Sequence, residues 1–441
     1  MSVINSQPPR PAADPSPPPP PLRGDPITGN RYTSREFMAL EWDRMWTRVW
    51  HIGGWAADLP QPGDYITHGI GRESILMVRQ EDGSVAAFYN VCPHRGNRLV
   101  HGDLGHARVF TCSYHSWQFD RAGTTCRVQD PDDFPQGNPC GKVRLSPVRC
   151  EVWGGFVWFN MDPDAPPLRQ FLDPVAPQFE KYGMDGQVRV LYLTAEVNCN
   201  WKIIHDNFNE SYHLPTLHPE LSTFIEDAYQ DTMFDLYASG HNRMRMKGGL
   251  PSLRAQSVTD VAQPLDDILR AWDLDPAAFQ GHARDARRAL QEQKRRLGRE
   301  RGFAHYDLLD DDQLTDYHHY TLFPNISLTM SADGFQLLRP QPHPTDPEKC
   351  IFDHWYMVPV VPGQTEAATP VGPRPLAEAE HEIFTHGDQT LGFVADQDLS
   401  IAVGQQLGLR SRGFKDAYLT GQEARVRRFH EMINDYIEGR R

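Results

Sequence analysis

Cys92-Pro93-His94-Arg95-Gly96 and Cys112-Ser113-Tyr114-His115-Ser116-Trp117 decide how the first part of this chain folds. Each stretch joins one thiol to one imidazole at short range, as Cys-x-His and then Cys-x-x-His, with residues 95–111 between them. Each also follows a strand-like run, Val85-Ala86-Ala87-Phe88-Tyr89 in the first case and Arg108-Val109-Phe110 in the second. Loops at two hairpin tips can close over a metal centre. Two thiolates and two imidazoles suit a two-iron cluster in which the sulfurs bind one iron and the rings the other. Neutral imidazole in place of thiolate removes negative charge from that iron and raises its reduction potential. A zinc-stabilised binding module is a rival, but zinc sites pair Cys with Cys and His with His rather than mixing them. Unliganded thiols beside surface histidines are the plain alternative. Cys126 and Cys140 lie outside the pattern and read as free thiols.

Working outward, short strand-like runs fill His51 to Asn160. Examples are Tyr65-Ile66, Ser74–Val78 and Gly155–Phe159, punctuated by Gly, Pro and Asp as in Gln61-Pro62-Gly63-Asp64. They predict a small all-β unit. Ahead of it, Thr33-Ser34-Arg35-Glu36 has capping-box spacing with Thr33 as N-cap. Phe37, Leu40, Met45, Trp46 and Val49 follow at roughly helical spacing. Residues 1–25 are proline-rich and read as a disordered tail. Beyond a connection at 161–200, which re-enters strand pattern at Val188–Val197, a helical stretch runs from Trp201 to His218. Strand pattern returns at Phe234–Tyr237, Thr321–Thr329, Phe335–Arg339 and Phe352–Pro359. Residues 251–315 are polar and helix-prone, and the chain from Arg374 onward reads as helix, loop, helix. The second half is therefore an α+β unit, a sheet with packed helices.

Bulk properties narrow the function. A net charge of −14 argues against nucleic acid as the main partner. No apolar run approaches the roughly 18 residues of a membrane span, and the N-terminus lacks the basic and apolar regions of a signal peptide. Seven cysteines, an odd number without secretory features, point to reduced thiols and a cytoplasmic setting. The basic residues Arg284, Arg287, Arg288, Lys294, Arg295, Arg296, Arg299 and Arg301 read as a solvated helix face. A docking surface for an acidic ferredoxin or reductase is the sharper reading.

A cluster alone moves electrons, so substrate chemistry needs a second centre. His213 and His218 supply candidates, with Pro215 between them placing one near a helix end and the other just beyond it. Two histidines and a carboxylate on one face of a metal leave positions open, the facial triad of non-haem iron oxygenases. Two polar surface histidines are the plain alternative.

The Cys92–Gly96 and Cys112–Trp117 motifs resemble the Rieske motif of the ring-hydroxylating oxygenase α subunits. That family usually has Gly where this chain has Ser116, a change that removes no ligand. The run Asn200-Trp201-Lys202 through Glu210, Tyr212-His213 and His218 resembles the family's mononuclear-iron segment. The resemblance spans residues 32 to 435. It implies a [2Fe–2S] Rieske cluster held by Cys92, His94, Cys112 and His115, and an Fe(II) held by His213, His218 and a late carboxylate. Asp396-Gln397-Asp398 through Gln406 and Gly408 resembles the late acidic motif, and counting back from Gln406 selects Asp398, with Asp396 as fallback. An ordinary acid at a helix start is the alternative there. The resemblance also gives Glu210 a role. In the family an acid at this place links a cluster histidine of one subunit to an iron-ligating histidine of the next, here His115 and His213. Many members carry Asp there; Glu is found in amine monooxygenases among others. Asn207 and Asp206 complete the expected catalytic set, Asn207 near the iron without ligating it tightly and Asp206, like Tyr212 and Trp201, supporting or packing.

The implied fold is α+β: a small all-β Rieske domain at 31–165, and at 166–441 a larger catalytic domain with an antiparallel sheet covered by helices (helix-grip, START-like). A proline-rich tail at 1–30 and a helical insert near 251–315 complete the organisation. The implied assembly is a homotrimer, or α3β3 with a β subunit, because head-to-tail interfaces close into rings. The implied activity is that of a terminal oxygenase taking O2 and electrons from NAD(P)H through a reductase and ferredoxin. Its first-choice substrate is an aromatic or polycyclic compound, hydroxylated as a cis-dihydrodiol; a quaternary amine or methyl ether monooxygenase or demethylase is second. A Rieske electron carrier without oxygenase activity is the reading of a different class. Leu322, Phe323, Ile326, Leu328 and Phe335, with the segments after His218 and along Phe234–Met246, are the candidate pocket residues, set against the plain alternative that apolar strand residues are more often core.

Overall fold

The structure, a computed structural model, describes residues 11–441. The first ten residues of the expected tail lie outside that range. Residues 11–29 are irregular but anchored, which corrects the expectation of a disordered tail. Pro11, Asp14, Pro17 and Pro20 are half-buried while the residues between them are exposed. This period of three is that of an extended left-handed polyproline helix laid along the protein on one edge. Asp14 pairs with Lys181 at 2.6 Å, and the Gly24 amide donates to Glu431 at 2.9 Å. Composition could not show these ties because their partners lie far along the chain.

Two short helices follow, α1 (Asn30–Thr33) and α2 (Arg35–Glu41). The cap of α2 is Ser34, not Thr33: the Ser34 hydroxyl accepts from the Phe37 amide at 3.1 Å. Thr33 is already in α1, with its hydroxyl donating to the Gly29 carbonyl. A π-helical turn, Trp42–Trp46, completes the expected helical region.

The Cys-His stretches sit on a sheet whose strands are β1 (His51–Trp55), β2 (Asp64–Ile70), β3 (Glu73–Arg79), β4 (Val85–Tyr89), β5 (Leu104–His106), β9 (Pro147–Trp153) and β10 (Phe156–Asn160). Its order is β1-β10-β9-β4-β3-β2-β5. A small sheet of β6 (Phe110–Thr111), β7 (Gln118–Phe119) and β8 (Thr125–Arg127) lies beside it. Leu76, Val78, Phe88, Phe110 and Phe119 pack beneath the two tips.

Helices α3 (Leu168–Phe171) and α4 (Ala176–Glu180) lead to the second sheet. It contains β11 (Gln187–Val197), β12 (Met233–Leu236), β13 (Asn242–Met246), β14 (Tyr317–Leu322), β15 (Ile326–Ser331), β16 (Gly334–Pro342), β17 (Cys350–Pro359) and β20 (Glu382–Thr385), ordered β12-β13-β14-β15-β16-β17-β11-β20. A hairpin of β18 (Glu366–Thr369) and β19 (Gly372–Pro375) stands apart. The sheet is antiparallel except where β20 joins β11. The sequence run Thr321–Thr329 is thus two strands: Phe323-Pro324-Asn325 turns between them, and Pro324 has no amide to donate to a ladder. Likewise the chain from Arg374 begins with strands β19 and β20 before its helices.

Helices α5 (Trp201–Asn207) and α10 (Ala424–Ile437) pack on this sheet, α9 (Phe393–Leu409) packs on α5, Leu214 of α6 (Leu214–Leu217) joins Met244 and Met246 of β13, and α7 (Leu265–Ala271) and α8 (Ala286–Leu297) form the insert. Most of the insert's basic residues are already paired within the chain: Arg287 with Asp312 at 2.6 Å, Arg295 with Asp311 at 3.0 Å, Lys294 with Asp333 at 2.7 Å, and Arg299 and Arg301 with Asp307 and Asp273. These pairs leave little free charge for a docking surface, and they also correct the solvated face, since Lys294 is buried and Arg284, Arg287 and Arg295 are half-buried. The two sheets share one core, in which Ile66 and Met77 join Leu193, Trp201 and Phe352. Polar contacts also cross between them, such as His68 to Gln341 at 2.9 Å. Among the described residues no helix is long and apolar enough to cross a membrane.

Candidate metal centres

The two Cys-His tips are built alike. The Gly96 amide donates to the Cys92 carbonyl and the Ser116 amide to the Cys112 carbonyl, each at 3.0 Å. The amides of Cys92 and Cys112 donate to Asn97 and Trp117 carbonyls, each at 2.8 Å. These twin turns need positive φ at their fourth residue after the cysteine, 74° at Gly96 and 56° at Ser116. The two thiols are buried side by side, and the rings of His94 and His115 lie 4.6 Å apart. His94 also stacks on Trp117 at 4.9 Å with an interplanar angle of 7°. His115 Nδ1 is buried with no hydrogen-bond partner among the described residues. An orphaned ring nitrogen beside two thiols and a second imidazole fits a cluster held by all four residues.

The second group comes from three elements. After α5 the chain breaks: Asn209 Nδ2 donates to the His205 carbonyl at 2.9 Å, and Glu210 accepts from the amides of Tyr212 and His213. This turn swings His213 to the start of α6, while His218 stands at its end. Asp398 projects from the second turn of α9. The ligand atoms of His213, His218 and Asp398 all lie within 4.8 Å of one another. His218 Nε2 is 2.8 Å and His213 Nε2 3.6 Å from Asp398 Oδ1. The opposite ring nitrogens are held from outside, His213 Nδ1 by Glu210 at 2.5 Å and His218 Nδ1 by Gln397 Oε1 at 2.7 Å. Both outer partners accept, so both rings carry a proton on Nδ1 and turn Nε2 inward, where the hydrogen bond from His218 to Asp398 needs a second proton on His218. Burial depresses the basicity of His218, but Asp398, Gln397 and Glu220 together more than offset it and the net shift is upward. A divalent cation would replace that proton. Two Nε2 atoms and one carboxylate fit a single divalent ion with one face left open.

Comparison with known proteins bears on both centres. The description "Rieske [2Fe-2S] domain" matches residues 49–138, and "Ring hydroxylating alpha subunit (catalytic domain)" matches residues 184–439. The chain belongs to the ring-hydroxylating α-subunit family. It is 35% identical over 199 residues to the chlorobenzene dioxygenase subunit alpha of Cupriavidus sp. (strain PS12), covering 42% of each chain. It is 33% identical over 213 residues to the carnitine monooxygenase oxygenase subunit of Escherichia coli (strain K12), covering 47% of this chain and 56% of the relative. The matches thus span about half the length of these curated relatives. In fold it resembles a quaternary ammonium Rieske monooxygenase with a TM-score of 0.66 at 20% identity, over 93% of this chain and 95% of the other. A naphthalene 1,2-dioxygenase with indole bound gives 0.64 at 20% identity, over 93% and 92%.

Within this α subunit, the remaining site residues divide clearly. Asn207 donates from Nδ2 to Asp398 Oδ1 at 2.8 Å, so it steadies the carboxylate beside the triad. Asp396 is not with the ligands; it accepts from the Leu391 amide at 2.9 Å at the start of α9. Asp206 accepts from the Tyr32 hydroxyl at 2.7 Å and meets His430 at 3.1 Å, which makes it a tie between α1, α5 and α10. Trp201 packs edge-on against Trp46 at 4.9 Å, and Tyr212 is exposed. Leu322, Phe323, Ile326, Leu328 and Phe335 are all core. On β14 it is His319 and Thr321 that face α5: the His319 ring is 6.3 Å from Phe208, and Thr321 Oγ1 donates to Asn209 at 2.9 Å. A cavity of about 410 Å³ borders Asn207, Glu210, His213 and Asp398, walled by Ile203, Leu217, Leu399 and Val426 among others. Gln397 and Asn97 escaped the sequence reading. Asn97 Nδ2 lies 3.6 Å from Cys112 Sγ, a weak bond to a candidate cluster sulfur. Their only sequence signal is adjacency to Asp398 and Gly96.

Proposed function

We propose that this chain is the terminal oxygenase component of a Rieske non-haem iron system that hydroxylates an aromatic or polycyclic substrate, with cis-dihydroxylation as the leading reaction. The carrying observation is the convergence of His213, His218 and Asp398 in a chain that also bears the paired Cys-His tips. A [2Fe–2S] cluster at the tips would supply electrons, and an iron at the triad would supply O2 activation. The chain's own residues do the rest. Glu210 and Gln397 fix the tautomers of the two histidines, Asn207 orients Asp398, and largely apolar walls line the open cavity beside the triad.

Glu210 is the proposed entry point for electrons. Its carboxylate holds His213 and borders the open cavity, and the proposed donor across that opening is the cluster ligand His115 of a neighbouring copy. Such a head-to-tail contact implies a closed homotrimer, or α3β3, served by a reductase and a ferredoxin. A second reading, monooxygenation of a quaternary amine, is favoured by Glu in place of Asp at position 210 and by the carnitine monooxygenase relative.

The test is turnover with a surrogate reductase and ferredoxin over a substrate panel under labelled O2. Two labelled oxygens in the product support dihydroxylation and one supports monooxygenation. Absence of substrate-dependent incorporation from protein loaded at both centres contradicts the proposal. Glu210→Gln is expected to keep both metals and stop turnover; unchanged coupled turnover contradicts its role.

A further inference from the structure

On the sheet side of α5, close behind the triad, several buried polar groups lack partners among the described residues. Arg425, in the first turn of α10, is wholly buried. Its Nε donates to Asn242 Oδ1, and its Nη2 donates to Thr321 Oγ1 at 3.0 Å and to the His319 carbonyl at 3.3 Å. Its Nη1 has no partner among the described residues, and none of the acids described there forms an ion pair with it. Asn242 Nδ2 and His319 Nε2, on the adjoining strands β13 and β14, are also buried and unpartnered. His319 meets Thr329 through Nδ1 at 2.9 Å, which leaves Nε2 free to serve a ligand. The triad adjoins this group: Glu210 acts electrostatically on Arg425, and His213 on His319.

A buried guanidinium without a counter-charge is costly and is normally matched. Three other buried guanidiniums in this chain are matched by a carboxylate, while Arg31 is held by neutral acceptors on His430 and Asn434 that leave none of its three nitrogens without a partner. Arg189 pairs with Asp58 at 2.7 Å, Arg243 with Asp235 at 2.8 Å, and Arg339 with Asp353 at 2.7 Å. Around Arg425 the unpartnered groups are neutral, the Asn242 amide and the His319 and His205 rings, so none supplies a counter-charge.

We propose that Arg425 is a specificity-determining residue that receives a carboxylate of the substrate, with Asn242 and His319 completing the cradle. This deepens the oxygenase reading and rests on it: the substrate is an aromatic acid, or an amine bearing a carboxylate, whose uncharged end faces the triad. A purely structural Arg425 would only fasten α10 to β13 and β14.

The test is equilibrium binding by calorimetry to the full chain, without turnover. Benzoate, 2-naphthoate and 4-(trimethylammonio)butanoate are each compared with their primary amides. At least one acid is expected to bind about tenfold or more tighter than its amide. Asn242→Asp keeps the shape of the side chain but gives Arg425 a fixed counter-charge, and it is expected to abolish that preference while the protein stays folded. Arg425→Met is expected to do the same. If no acid is preferred over its amide, or if the preference survives Asn242→Asp, the proposal is overturned. Iron content of the same preparations separates this from the oxygenase reading. Full iron with no acid preference removes only the role of Arg425. An acid preference in a chain that cannot hold iron at the triad removes the reaction and leaves the anion site.

Discussion

At Ser116 the backbone takes φ of 56°, in the left-handed region that an L side chain enters at a cost. The twin turn at the other tip has Gly96 in the same place with φ of 74°. Ser116→Gly is therefore expected to stabilise the cluster-bearing tip by about 1 kcal/mol. Thermal loss of the cluster's visible absorbance reads this out, and a lower midpoint in the variant contradicts it. Gln397 belongs to the same scale. Gln397→Leu removes the acceptor for His218 Nδ1 and is expected to weaken iron at the triad about 10- to 100-fold, leaving the cluster spectrum unchanged. Metal competition titration measures this; equal affinity contradicts the assignment. The candidate ligands were legible in sequence because Cys92, His94, Cys112 and His115 lie in short loops, where spacing nearly determines geometry. Gln397 and Asn97 were not, because a residue's contact beyond its own turn depends on packing.

Elements are held by contacts that few sequence patterns announce. Lys202 on α5 and Glu41 on α2 form a buried pair at 2.8 Å, with side-chain exposures of 0% and 2%. Burial pushes the carboxyl of Glu41 up and the amine of Lys202 down, the sign of charges that depend on each other. Lys202→Met should cost about 3–5 kcal/mol in denaturant unfolding, because it strands Glu41. The double variant Lys202→Met with Glu41→Leu should recover most of that loss. A single variant no less stable than the double contradicts the pairing. The stretch Trp201–His218 read correctly as helical but not as two helices, since the Glu210 carboxylate captures the next amides and turns the chain. Of the two readings of the pocket candidates, wall or core, the structure gives core, for a related reason. Alternation along β14 sends Leu322 into the core and His319 and Thr321 toward α5. A single strand pattern, flanked on both faces by helices or another sheet, does not say which face is which.

Across the whole molecule, burial of histidines sets a pH limit. Burial lowers the pKa of His51, His241 and His354 from 6.5 to about 4 in each case. Between these values the unfolded chain binds more protons than the folded one, so stability is full above pH 6.5 and falls as pH drops toward 4. Each group contributes up to about 1.4 kcal/mol per pH unit in that window. Unfolding midpoints at pH 7.5, 6 and 5 should decline in order; a flat profile contradicts the neutral buried state. The two-part α+β architecture was legible because strand and helix periods differ. The seating of residues 11–29 was not, since Asp14 finds Lys181 only after folding. The central claim is that one chain holds a Rieske cluster at Cys92, His94, Cys112 and His115 and an iron at His213, His218 and Asp398. Iron and acid-labile sulfide per chain test it most directly, in the native protein and in His213→Ala. The account predicts about three irons with two sulfides, falling to about two irons with the cluster spectrum intact in the variant. Zinc in place of iron and sulfide, or an iron count unmoved by His213→Ala, would contradict it.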